Sequence, residues 1–152
     1  MSEYDQLLVD AYRGEVLGAA LFSAMAAERN DREREQLLAL ARVESRTAER
    51  LRTLIDAAGI DAGDDGTAVD GAVEMASATR DQDWSAFLST LRDALPPFLA
   101  NFERLQALGT PDDAVLADLV AHERAIDRFA GLEIEGRSDE ALAVLDAHLA
   151  TV

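Results

Sequence analysis

Four side chains in this sequence have the types and spacing to hold a metal ion or to share protons: Glu15, Glu44, Glu123 and His122. Glu15 lies in "YRGEVLGAALFSAM", on a helical face with Tyr4, Leu8, Ala11, Gly18, Phe22 and Met25. Glu44 stands among Leu37, Leu40, Ala48, Leu51 and Ile55, and Glu123 among Leu116, Leu119, Ile126 and Ala130. A buried carboxylate without a partner costs several kcal/mol, so each acid must be paired, protonated or bound to a metal. His122 shares a face with Leu119, Ile126 and Phe129 and offers an imidazole beside them. Carboxylate-rich sites with one imidazole suit manganese or iron. A bland reading stays open beside this one. Arg13, Arg42, Arg46 and Arg124 lie close to the acids in sequence and could pair with them, or the carboxyls could share protons. His122 would then be a half-buried helical residue bonded to a carboxylate or carbonyl.

The elements that must position these groups are helices. Apolar periodicity predicts a first helix over about Ser2 to Arg29, a break at Asn30 and Asp31, and a second helix to Ala58, stopped by Gly59. The acidic stretch "IDAGDDGTAVDG" reads as a connection holding a short helix near Val69 to Thr79. A third main helix follows from about Asp83 to Leu108, with Trp84, Leu88, Leu91, Leu95, Phe98, Phe102 and Leu105 in register as core. In "TPDD", Thr110 reads as N-cap and Pro111 as the first residue of a fourth main helix. Ser138 opens a last short helix to about Leu149. Glu15 lies about fifteen residues before the first turn, Glu44 about fourteen after it, and Glu123 about thirteen past the second turn. At about 1.5 Å rise per residue, the three carboxylates reach one level in mid-bundle. The predicted fold is all-α and single-domain: two helical hairpins joined by one long connection.

This pattern over the four main helices resembles the ferritin-like superfamily, including rubrerythrin-type proteins. The resemblance implies a four-helix bundle with one long crossover connection. It also implies inward-facing ligands for two metal ions, a Glu from the first and third helices and Glu-x-x-His from the second and fourth. Glu15 matches the first position, "ESRT" from Glu44 the second helix, and "ERAI" from Glu123 the fourth. The sequence departs from the family where Thr47 and Ile126 replace the two histidines. On the third helix, the facing level falls near Pro96 and Pro97, and Glu103 is off the stripe. His122 could stand in for a missing imidazole. The resemblance implies non-haem iron or manganese reacting with oxygen or peroxide. The alternative is a metal-free structural or interaction bundle that has lost the site. A homodimer through helix faces is the expected assembly. A third possibility is a small-ligand pocket between the hairpins, beside Gly14, Gly18, Ala19 and Ala20.

Composition narrows the classes. The chain has 152 residues and a net charge of −16, which argues against nucleic acid or an anionic membrane surface as partner. All 14 basic residues are Arg, consistent with either a GC-rich coding bias or adaptation to high salt. There is no cysteine, hence no disulfide, thiolate site or Cys nucleophile. Two histidines leave no Ser-His-acid set, and no glycine-rich phosphate loop precedes a helix. The start "MSEYDQ" does not read as a signal peptide, and no apolar run is long enough to span a membrane. A cytoplasmic location is the expectation. The charge runs "ERNDRERE" and "RSDE" read as a solvated face and a cap, and His148 as a surface residue.

Overall fold

A computed structural model describes residues 1–110 and 113–151. Six helices follow in order: α1 (Glu3–Ala26), α2 (Asp31–Ala58), α3 (Gly66–Ala78), α4 (Trp84–Leu108), α5 (Ala114–Ile134) and α6 (Ser138–Leu149). No strand occurs among the described residues. None of these helices is long and apolar enough to cross a membrane.

The helix ends follow from local chemistry. Ser2 and Asp5 close a capping box at the start of α1, each side chain taking the other's backbone N–H. Asn30 caps α2 by accepting from the backbone N–H of Glu33 at 2.9 Å. Gly59 ends α2 at φ +67°, where a side chain would be strained. The short α1–α2 link sets these helices side by side, and α4 lies along α5 in the same way. The two pairs face each other through α1 against α4 and α2 against α5. The connection after Gly59 carries α3, which packs on α1, while α6 packs on α5 and α2.

The core is divided. One apolar cluster holds Phe22, Met25, Leu37, Leu40, Leu88, Ile126 and Phe129, with Leu145 of α6. A second holds Leu8, Tyr12, Leu51, Ile55, Phe102, Leu105, Leu116 and Leu119. Along α1, α2 and α5 the changeover between clusters falls at the level of Glu15, Glu44 and Glu123. The carboxylates therefore form a polar layer between two apolar halves.

Three expectations need correction. The N-cap of α5 is Asp113, not Thr110: its carboxylate accepts from the N–H groups of Val115 and Leu116, and the helix begins at Ala114. An Asp at this point also meets the positive end of the helix dipole, which a threonine cannot do. Pro111 lies outside the described residues. Phe98 is not core but 49% exposed, because the α1–α4 seam is loosely closed beside it. Arg29, expected on a solvated face, lies over the Trp84 ring and donates to the Thr79 carbonyl. As expected, α4 runs as one helix, through Pro96 and Pro97. Their missing donors free the carbonyls of Arg92 and Asp93 on an exposed turn, where water can satisfy them. The cap assignment has a direct check. Asp113→Ala should cost about 1 kcal/mol in urea unfolding, and Thr110→Ala only a few tenths.

Candidate metal centre

The structure brings all four expected residues together. Glu15 comes from α1, Glu44 from α2, and the adjacent His122 and Glu123 from α5, and each is buried. The His122 Nε2 lies 3.0 Å from Glu15 Oε2, 3.4 Å from Glu123 Oε2 and 3.6 Å from Glu44 Oε2. The other ring nitrogen, Nδ1, faces the Leu119 carbonyl one turn back. A carbonyl accepts only, so Nδ1 carries a proton. In the neutral ring that leaves the Nε2 lone pair aimed at three carboxylates. This is the tautomer in which an imidazole binds metal through Nε2, with its second nitrogen held by a backbone carbonyl.

Two observations test whether a cation fits here. The first is the state of the polar atoms. Although 3.0 Å apart, His122 Nε2 and Glu15 Oε2 do not meet hydrogen-bond geometry, and neither atom has another hydrogen-bond partner. Buried polar atoms without partners are rare and call for an explanation. The second is spacing. Ligands about 2.1 Å from one ion and about 90° apart lie about 3.0 Å from each other; at tetrahedral angles they lie about 3.4 Å apart. One atom each from Glu15, His122 and Glu123 falls within 4.8 Å of the others. Two carboxylates and one imidazole thus meet the spacing of one divalent ion, and Glu44 Oε2 lies beside them, 3.6 Å from the His122 Nε2.

Gly18 supplies room for the cluster. A Cβ there would stand 3.1 Å from the Glu44 carboxyl carbon and 3.2 Å from its Oε1. The sequence showed Gly18 only as a small residue on the stripe. Its place is beneath the Glu44 carboxylate, one helix across.

The electrostatics are those of crowded acids in a dry layer. Burial raises Glu44 well above the usual carboxylate range, and the charge of Glu15 adds to this. Burial also raises Glu123, to about 7. For His122, burial favours the neutral ring, but the nearby charges of Glu15 and Glu44 outweigh it and hold its pKa well above the ordinary value.

None of the four neighbouring arginines pairs with these acids. Arg13 donates to the Ala62 carbonyl, Arg46 to the carbonyls of His148 and Thr151, and Arg124 to Glu103, while Arg42 is exposed. The arginine form of the bland reading is thereby corrected. What remains is a cation or protons. The positions where the resemblance places histidines hold no ligand. The Thr47 hydroxyl donates to the Val43 carbonyl at 2.8 Å, and Ile126 is buried in the core. Glu103 is exposed, so α4 contributes no carboxylate.

Several buried polar residues were not anticipated. His148 is buried, not on the surface, with Nε2 3.6 Å from Asp118 and its ring centroid 6.5 Å from that of His122. Burial lowers its pKa although Asp118 opposes the shift. Asp118 also meets Arg50 at 3.1 Å and Arg46 at 3.6 Å, so its charge is matched outside the layer. At the other end, buried Glu133 accepts from Gln36 at 2.7 Å, Trp84 at 3.1 Å and Arg32 at 3.1 Å. This clamp joins α2, α4 and α5 and looks structural, since every contact is a protein donor. A signal for both residues existed in the sequence. His148 follows Ala141 and Leu145 at helical spacing, and Glu133 follows Ile126, Phe129 and Ala130. Comparisons with protein-family models, curated proteins and solved structures give no match.

Proposed function

We propose that this protein is a ferritin-like helical bundle whose Glu15–Glu44–His122–Glu123 layer binds one manganese or iron ion for redox chemistry with oxygen or peroxide. One observation carries the reading. The His122 Nε2, with Nδ1 committed to a carbonyl, faces three buried carboxylates and no donor. A single ion is proposed rather than two, because Thr47 and Ile126 leave no second ligand set. Bound here, such an ion would supply one-electron redox chemistry and a Lewis-acid position. The chain's own part is to hold the ion in a layer between two apolar halves, away from bulk water. A divalent ion against three carboxylates leaves one negative charge. In the metal-free layer Glu123, with a pKa of about 7, would hold a proton that the ion displaces on binding.

A second reading rests on the same titration behaviour. Raised pKa values at Glu44 and Glu123 let the layer neutralise itself with protons and a charged His122, which would make the protein a metal-free scaffold.

Metal content separates the two. The protein should be purified without a polyhistidine tag, stripped with chelator, and titrated with Mn(II) and with anaerobic Fe(II). Mass spectrometry should then find one ion per chain, and none in Glu15→Ala. An empty wild-type protein would sink the metal reading.

A further inference from the structure

A cavity of about 210 Å³ opens between α1 and α4 and runs inward to the polar layer. Its walls are apolar: Leu17 and Leu21 from α1, Met75 from α3, and Leu91, Leu95 and Phe98 from α4. Its inner end is formed by Glu15, Glu44 and Glu123. Glu15 is 3% exposed and its Oε2 has no hydrogen-bond partner, so a buried polar atom stands at the end of an apolar passage. Gly14 and Gly18 border the cavity, and a Cβ on Gly14 would meet nothing within 4 Å. The space lies beside α4, the one main helix that gives the layer no ligand.

We infer that this cavity is a site for a small, uncharged apolar molecule of about six to eight carbon atoms, bound with its polar end toward the carboxylate layer. Size sets the class. An apolar cavity of about 150 Å³ holds benzene, so 210 Å³ takes a six-carbon chain or a substituted ring and excludes a peptide helix. Charge sets it further. Three carboxyls at the inner end reject a carboxylate head group and favour a hydrogen-bond donor such as an alcohol. As an ordinary binding site, the cavity stands on its own geometry. As the substrate site of an oxidation, it rests on the metal reading above.

The test uses 1-hexanol as probe and hexanoate as its charged control. Saturation-transfer NMR on the metal-free protein should show hexanol bound in the millimolar range and hexanoate at least tenfold weaker. Ala94→Trp and Met75→Trp add bulk at exposed positions of the rim, so neither disturbs the core. Both should weaken hexanol binding at least tenfold while the helical circular dichroism is unchanged. Loading with Mn(II) should broaden the hexanol protons by paramagnetic relaxation, the hydroxyl-end methylene most. No hexanol signal in the wild type, or a signal unchanged in both variants, would overturn the inference. Hexanol bound in the cavity of a protein that takes up no Mn(II) keeps the apolar site and removes the metal reading. Mn(II) taken up without hexanol does the reverse.

Discussion

Glu44→Gln should have two effects of opposite sign. In the metal-free protein at pH 8 it should raise stability by about 1–3 kcal/mol, and with metal present it should lower Mn(II) affinity about 100-fold or more. The first effect follows from burial. Glu44 is packed beside Glu15 and carries a raised pKa, so at pH 8 its carboxyl opposes folding. Glutamine keeps the shape and removes the charge. The gain should shrink as the pH falls toward 4.5 and vanish below it, where glutamate is protonated in both states. The second effect follows from the donor set, because an amide oxygen is a far weaker ligand than a carboxylate. For a chain of this length the stability gain corresponds to a rise in Tm of roughly 2–4 °C per kcal/mol. Thermal unfolding with and without Mn(II) reads both at once. A variant that is less stable without metal at pH 8, yet still stabilised by Mn(II), would show Glu44 to be a structural hydrogen-bond partner and not a ligand.

The wild type without metal should lose at least about 2.5 kcal/mol of stability between pH 5 and pH 8. Glu44, whose pKa burial also raises, adds to the loss, and Glu123 alone supplies about this much. The folded pKa of Glu123, about 7, lies above the ordinary value of 4.5, so the folded state holds the proton more tightly than the unfolded chain. The associated stability is fully present below about 4.5 and is lost as the pH rises through about 7. His122 acts in the same direction at higher pH, because its folded pKa is also raised above 6.5. Saturating Mn(II) should reverse the trend, since the ion favours deprotonated ligands and releases their protons on binding. Urea unfolding at pH 5, 6, 7 and 8 with and without Mn(II) measures it. A stability that is flat or rising across this range in the metal-free protein would show that the layer does not carry these buried protons.

The helices were legible because their signals are local. Gly59 ends α2 at the expected residue and Asp83 sits at the expected start of α4, while α2 begins at Asp31, within the expected break. The convergence of Glu15, Glu44 and Glu123 was legible for a different reason. Helical rise is constant, so distance from a short turn gives height, and the apolar stripe gives facing. His122 was readable as a partner because it overlaps the stripe of Glu123. Local information ends where tertiary docking begins. Nothing in a twelve-residue helix says which neighbours it will meet, so His148 beside Asp118 could not be placed. Phe98 fails for the opposite reason. It keeps perfect register on its own helix, and only the loose fit of α1 against α4 exposes it. Gly18 is subtler still, because its reason for being small lies on α2.

The polar layer also bears on how the chain comes apart. Each of α1, α2 and α5 begins in one apolar half and ends in the other, so the halves are joined by continuous backbone but share little dry contact across the layer. A cation held by three helices would act as a rivet through that seam. Its removal should turn one cooperative melt into two overlapping ones. Amide exchange should divide accordingly: amides around Leu37, Leu40 and Phe129 would open as one group and those around Leu51, Leu105 and Leu119 as another. With the rivet in place the two groups should share a single opening energy.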